Sequence, residues 1–204
     1  MAQQAKSVVL ALHYQNEVLH PDGKIRVGVA EGDTGRVNLI RAAKTLLDGA
    51  RGHGIPVVSV RIAFRPDFKD LTANGPIWEN VLKSRACEDG SWGARFFDEL
   101  APAPGEFTVS HTRINAFYGS QLQEIVDLFS PERLIVAGIA TNYVVQHTVA
   151  YASDAGYRIT VVRDACSSAV PELHEGALRT MSLLGSIETA AEVVEGFKRE
   201  AARA

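Results

Sequence analysis

The sequence predicts a three-layer α/β/α fold, built around a doubly wound, mainly parallel β-sheet in a single domain that covers residues 1–204. Short apolar, β-branched runs alternate along the chain with segments of helical period, which indicates strands that helices bury on both faces. The segment RLIVAGIATNYVVQHTVAYASDAGYRITVVRDA at 133–165 reads as strand, tight turn, helix and strand. A chain of 204 residues is long enough to bury one such core.

The individual elements follow from local pattern. After the first apolar strand, a helix is predicted where apolar residues recur at steps of three and four, and Gly52 and Gly54 end it before Pro56 begins the next strand. The predicted strands lie at about 7–12, 56–62, 106–110, 133–138, 158–163 and 187–189, and the predicted helices at about 35–53, 93–100, 119–129, 142–155, 172–184 and 190–202.

The segment 63–92 interrupts this alternation with proline, glycine and scattered aromatic residues, and it has no long helical period. Long connections in compact domains tend to be lids or binding loops. Phe64, Trp78 and Trp92 are therefore expected to line a pocket or a subunit contact, with simple packing as the alternative.

Composition favours a small-molecule partner. A net charge of −3 gives no electrostatic reason to expect nucleic acid or an anionic membrane. No apolar run approaches the roughly 20 residues of a membrane span, and the first residues do not resemble a secretory signal, so a cytoplasmic location is expected. Two cysteines, Cys87 and Cys166, are too few for a disulfide framework. Nucleotide-loop, dinucleotide, esterase-elbow and C-x-x-C patterns do not occur, and no cofactor is predicted.

Three motifs, in order, carry a family resemblance: SVVLALHYQNEVL at 7–19, FTVSHTRINAFYGSQL at 107–122, and GIATNYVV at 138–145 with the downstream DAGYRITVV. Together they resemble the isochorismatase-like (cysteine hydrolase) superfamily over nearly the whole chain, and so imply its Rossmann-like fold. The departures fall on the family's catalytic triad. His13 stands where the family has its aspartate, His111 where it has its lysine, and Val144 where it has its nucleophilic cysteine.

The resemblance also implies how the site is assembled. His13, His111 and the turn from Ile139 to Val144 are expected to converge at the carboxyl ends of the sheet strands. By carry-over from the family, the backbone N–H groups of Ala140 and Val144 would hold an oxyanion, and the Ile139–Ala140 peptide would be cis. Family members are commonly dimers or tetramers, which implies a homodimer or homotetramer here.

We expect His13 to act as a general acid or base, with His111 orienting or polarising the substrate. A structural role for either histidine is the alternative, and a metal held by both with a third ligand is a weaker one; the family's occasional D-x-H metal motif is absent, so no metal is predicted. The residues expected to bind substrate share a place near the crevice: Gln15, Phe64, Trp78, Arg113, Asn142 and Tyr143. Several also have structural interpretations, among them a surface ion pair for Arg113 and helix capping for Thr141 or Asn142.

Three functions remain open. The first is an isochorismatase-like hydrolase, lyase or isomerase that acts on a small organic molecule by acid–base chemistry without cysteine or cofactor. The second is a catalytically inactive relative that binds a metabolite or serves as an oligomeric scaffold. The third is a cysteine hydrolase that uses Cys87 or Cys166 from a new position.

Overall fold

A single parallel sheet organises the molecule, whose computed structural model describes the backbone of residues 5–201 and the side chains of residues 5–198. Its strands run in the order β3-β2-β1-β4-β5-β6, and every neighbouring pair is parallel. The predicted three-layer, doubly wound α/β fold is therefore confirmed. The strands are β1 (Ser7–Leu12), β2 (Val57–Ile62), β3 (Phe107–His111), β4 (Arg133–Ile139), β5 (Arg158–Ser167) and β6 (Ser186–Glu188).

Helices flank this sheet. One group places α2 and α7 against each other and against β5, and a second group places α5 against α6. The helices are α1 (Asn16–Leu19), α2 (Arg36–Gly52), α3 (Pro76–Ser84), α4 (Leu122–Phe129), α5 (Gln146–Asp154), α6 (Pro171–Met181) and α7 (Ala190–Ala201), with a 3₁₀ turn at Asp98–Leu100 and a π-helical turn at Thr141–Val145. None of the helices in the described part of the chain is long and apolar enough to cross a bilayer.

The central strands form the core because both of their faces are covered. Every residue of β1 is buried, and so are the last six of the seven residues in β4. At the carboxyl end of this pair Gly138 has φ 153° and lies so close to β1 that a Cβ would collide with the Leu12 carbonyl oxygen. This close approach brings the residues after β4 against those after β1, which is where the candidate site lies.

One predicted helix differs from the structure, and one helix of the structure was not predicted. The helix expected at 93–100 is wrong, because this segment pairs with the chain after β1: Gln15 forms an antiparallel bridge with Phe96, and the Phe97 N–H donates to the Tyr14 carbonyl. Only the 3₁₀ turn Asp98–Leu100 remains helical.

The segment 63–92 holds a helix that its sequence did not reveal. Helix α3 is nine residues long, starts at Pro76 and stops where Arg85 takes a left-handed conformation with φ 50°. Its length gives too few turns for a clear apolar period. It buries Trp78 and Val81 in a second apolar cluster that lies beside the main core.

Candidate active site

His13 follows β1 in an unusual backbone conformation. Its φ of 57° lies in the left-handed region, which costs a non-glycine residue about 1–2 kcal/mol. Backbone hydrogen bonds hold it there: its N–H donates to the Val60 carbonyl at 2.8 Å, and its own carbonyl accepts from Gln15 N–H at 2.8 Å. The side chain is 7% exposed. Such strain that the surrounding structure maintains is characteristic of functional sites.

The imidazole rings of His13 and His111 meet. Their Nε2 atoms lie 2.5 Å apart, and the ring centroids are separated by 4.8 Å. His111 ends β3, two strands away from β1, and is 2% exposed. The expected convergence of these two positions is therefore present. One Nε2 must carry a proton and the other a lone pair, because two bare nitrogens or two N–H groups would repel at this distance.

Burial controls the charge of both rings. Desolvation lowers the pKa of His13 well below its usual value, the neighbouring His111 lowers it further, and the Ile139 backbone offsets part of this effect. Desolvation also lowers the pKa of His111 to about 4, with a smaller opposing effect from the Asn115 backbone. The Nδ1 atom of His111 is buried, and no hydrogen-bond partner for it is present among the described residues. At neutral pH the pair is therefore two neutral imidazoles.

His13 lines a small apolar cavity of about 90 Å³. Most of its wall is aliphatic or aromatic, and its imidazole, guanidinium and amide side chains are those of His13, Arg26, Asn80 and Arg113. Drug-sized ligands occupy pockets of about 300–1,000 Å³, so this cavity suits a molecule of only a few heavy atoms. The remaining lining residues, which complete what we call the apolar cavity, are Val18, Ile25, Val27, Ile62, Ile77, Trp78, Val81, Ile114, Ile139, Ala140, Tyr143 and Val144.

His111 does not line the apolar cavity. It is one of the residues that line a separate, open depression of about 300 Å³, here called the polar groove, which is formed by Ala63, Phe64, Arg65, Pro66, Asp70, Asp89, Ser110, His111, Thr112 and Gly119. The role expected of His111, orienting or polarising the substrate, stays a prediction; its contact on the cavity side is the His13 ring. Because His111 contacts His13 and does not line the apolar cavity, it can influence a ligand there only through His13.

The turn after β4 completes the cavity wall. The Ile139–Ala140 peptide is cis, as the resemblance implied, and Ala140 and Val144 both line the apolar cavity. Val144 is 1% exposed and is an aliphatic residue of the cavity wall. Thr141 does not cap the following helix, because its hydroxyl is hydrogen-bonded to Nδ1 of His174 at 2.8 Å.

Three of the predicted substrate-binding residues line the apolar cavity: Trp78, Arg113 and Tyr143. Arg113 stacks on Trp78, with its guanidinium carbon 5.3 Å from the ring centroid, and it donates to the Thr72 carbonyl at 3.3 Å. No carboxylate pairs with it in the described part of the chain. The surface ion pair considered as a structural interpretation of Arg113 is therefore wrong.

The other three do not line it. Gln15 is fully buried and structural: its amide nitrogen donates to the Ile62 and Ala94 carbonyls, and its amide oxygen accepts from Ile62 N–H. Phe64 packs in the second apolar cluster and faces the polar groove. Asn142 has a buried Oδ1 for which the described residues provide no partner. A polar or aromatic residue near the end of a strand in the sequence therefore does not necessarily line the cavity in the structure.

Comparison with known proteins identifies the family. The isochorismatase domain model matches residues 7–193. The chain belongs to the isochorismatase family of hydrolases. It is 27% identical, over 97% of its length and 88% of the relative's, to ureidoacrylate amidohydrolase RutB of Caulobacter segnis. An isochorismatase family protein from Desulfovibrio vulgaris has 25% identity and a TM-score of 0.83, covering 95% of this chain and 98% of its own. A cysteine hydrolase from Pseudomonas syringae shares the fold at 18% identity and a TM-score of 0.85, covering 95% and 93%.

The two thiols of this isochorismatase family member are absent from the wall of the apolar cavity. Cys87 and Cys166 are buried and do not line it. Desolvation raises the pKa of both thiols, that of Cys166 to about 12, and the nearby Glu17 carboxylate raises that of Cys87 further. Neither is an activated nucleophile, because the reactive species is the thiolate.

Glu17 is a buried carboxylate that the motif comparison did not single out. It is 2% exposed and accepts hydrogen bonds from Lys24 N–H at 2.9 Å and from Cys87 N–H at 3.0 Å. Glu17 therefore connects the loop that contains Lys24 to the loop that contains Cys87. Among the described residues no group of three or more histidine, cysteine, aspartate or glutamate side chains is arranged to hold a metal ion.

Proposed function

We propose that this isochorismatase family member acts on a small organic molecule by acid–base chemistry that uses neither a cysteine nor a cofactor, with His13 as the group that exchanges the proton. One observation carries the proposal. Among the described residues that line the apolar cavity, His13 is the one side chain whose pKa lies below neutral pH. Its backbone is strained, and its ring contacts a second imidazole.

The chemistry follows from this environment. A neutral imidazole in an apolar cavity accepts a proton from a water molecule or from a weakly acidic carbon or nitrogen, and returns it to the leaving atom. The backbone N–H groups of Ala140 and Val144, at the cavity wall, are the donors we assign to the developing oxyanion. Hydrolysis of an amide or a related carbonyl compound by activated water fits these parts, because attack by water needs no thiol.

Two arginines of the cavity wall suggest which small molecules fit. Arg26 and Arg113 both line the cavity, and neither has a carboxylate partner among the residues that the structure describes. Two guanidinium groups that bond backbone carbonyls but no carboxylate, beside apolar walls, favour a small carboxylic acid that also carries a reacting carbonyl group. The relative named ureidoacrylate amidohydrolase supports the same class, since its name describes such a compound.

The test is a turnover screen of small amides, ureido acids and enol ethers, ureidoacrylate included, with wild-type protein and two variants. His13→Ala should abolish turnover, by roughly 10²–10⁴-fold, while the protein stays folded. His111→Gln should reduce kcat with little change in KM, because this ring does not face the cavity. Unchanged activity in folded His13→Ala would remove His13 from the mechanism.

The alternative function is metabolite binding without turnover, and Val144 at the nucleophile position favours it. This reading predicts saturable binding of a small carboxylic acid, lost in Arg113→Gln, with no product formed by wild-type protein. A thiol mechanism predicts inactivation by iodoacetamide. We expect alkylation of the native protein to be slow and any activity to survive it, since both thiols are buried.

A further inference from the structure

Trp92, an aromatic residue of the long connection 63–92, does not line the apolar cavity. It is one of the residues around a separate pocket of about 490 Å³, which shares no lining residue with the apolar cavity or the polar groove. This volume falls within the range of about 300–1,000 Å³ that small-molecule sites occupy. We call it the aromatic pocket, and the residues that line it are Asn16, His20, Trp92, Arg95, Phe97, Asp98 and Glu99.

Three aromatic rings cluster at the aromatic pocket. The His20 and Trp92 rings meet almost at a right angle, with centroids 4.8 Å apart and an interplanar angle of 88°. The Phe97 ring lies 6.5 Å from that of His20. Trp92 is nevertheless 44% exposed, so much of its indole is accessible to a ligand. Its backbone is held in place, because its carbonyl accepts a hydrogen bond from the Asn16 amide at 3.0 Å.

The charged residues of the aromatic pocket favour a cationic ligand. Asp98 and Glu99 are both exposed, and neither forms an ion pair with another residue in the described part of the chain. A third carboxylate, that of Asp22, lies 3.6 Å from Nδ1 of His20. Arg95 contributes one guanidinium group. The carboxylates outnumber it, so the local potential attracts positive charge.

We propose that the aromatic pocket binds a small quaternary ammonium compound, at a site that is separate from the apolar cavity and independent of the proposed function. A quaternary ammonium group has no N–H donor, so aromatic rings and nearby negative charge, rather than hydrogen bonds, recognise it. The aromatic pocket supplies both. Its rings contact the methyl groups, and Asp98 and Glu99 attract the charge.

The experiment titrates the protein with choline and, separately, with 3,3-dimethyl-1-butanol, an uncharged molecule of the same shape. ¹H–¹⁵N NMR follows the indole N–H signals of the two tryptophans at constant ionic strength. Trp78 lines the apolar cavity and is the control within each spectrum. We expect choline to shift the Trp92 signal and leave the Trp78 signal in place. Choline should also bind about fivefold or more tightly than the alcohol, because only the cation gains from the rings and carboxylates.

Variants separate the contribution of the rings from that of the charges, with choline affinity measured by saturation transfer to its methyl protons. Trp92→Leu should weaken binding by about fivefold or more. Glu99→Gln should weaken it by about twofold or more, and Arg95→Gln should strengthen it, because one removes an attractive charge and the other a repulsive one. Tyr118→Leu replaces an exposed aromatic residue outside the aromatic pocket and should leave the affinity unchanged.

Several results would overturn the site. These are equal affinity for choline and the alcohol, no shift of the Trp92 signal, a shift of the Trp78 signal in its place, and wild-type affinity in folded Trp92→Leu. If Trp92→Leu does not fold, the opposite effects expected of Glu99→Gln and Arg95→Gln decide the matter, since both replace exposed side chains. Effects of the same sign in these two variants would contradict the proposal.

Discussion

The buried histidine pair predicts that acid destabilises this protein well before its carboxylates titrate. The pKa values of His13 and His111 are lowered in the folded state, whereas both rings regain an ordinary pKa near 6.5 on unfolding. Above that pH both rings are neutral in the folded and in the unfolded protein, so they add no pH dependence to the free energy of unfolding. Below it the unfolded chain binds protons that the folded protein excludes, so the free energy of unfolding falls as the pH falls.

The size of this loss follows from the pKa of His111. Each excluded proton lowers the free energy of unfolding by about 1.4 kcal/mol per pH unit. From the unfolded value near 6.5 down to the folded value of about 4, His111 alone contributes a loss of roughly 3 kcal/mol. Between pH 6.5 and pH 5 its share is about 2 kcal/mol.

Urea unfolding at pH 7.5, 6.5, 5.5 and 5.0 measures this loss in wild-type protein and in His111→Gln. The variant should show a shallower decline, by about 1.4 kcal/mol per pH unit below pH 6.5. Gln121→Leu, which replaces an exposed side chain that does not titrate, is the control and should keep the wild-type decline. The partly buried His147 and His174 remain in all three proteins, so their contribution cancels. Equal declines in wild type and His111→Gln would refute the reasoning.

Two further predictions concern stability. Gln15→Leu removes the partners of three buried backbone groups, and at about 1 kcal/mol each it should lower the free energy of unfolding by about 3 kcal/mol; Gln121→Leu at an exposed position should change it by less than about 0.5 kcal/mol. Equal effects in thermal unfolding would mean that the buried amide is not structural. Gly28→Ala places a Cβ against the Ile139 side chain in the cavity wall, and should cost about 1–3 kcal/mol and reduce ligand binding. The control is Gly176→Ala, because Gly176 lies in a helix with open space around it; this change should raise the free energy of unfolding by about 0.5–1 kcal/mol. An unchanged free energy of unfolding in Gly28→Ala would show that the Ile139 side chain can move aside.

Local pattern was sufficient for most strands and failed where long-range pairing decides the structure. The predicted strand at 133–138 and helix at 142–155 nearly coincide with β4 and with the π turn followed by α5, because their apolar periods reflect burial on the sheet. By contrast, the residues at 93–97 pair with the chain after β1, which no local signal announces. β5 continues to Ser167 for a similar reason, since its last residues pair with β4 beyond a bulge.

The site divides in the same way. Motif order was enough to identify His13 and His111 as a pair, because two positions that a family brings together stay together when the fold is kept. The void that each histidine lines is a property of packing: it depends on which side chains of β2 and α3 fill the space between them. Gln15 and Arg113 show the same limit, since one amide is saturated by distant backbone groups and one guanidinium is held by Trp78 rather than by an acid.

By itself, the sequence determined the fold class and most of its strands and helices, because hydrophobic period is a local property of the chain. Tertiary structure alone decided that His13 lines an apolar cavity and His111 a polar groove, and that both rings are neutral. Proton affinity and access depend on the atoms that surround a group in space, and residues far apart in the chain supply those atoms.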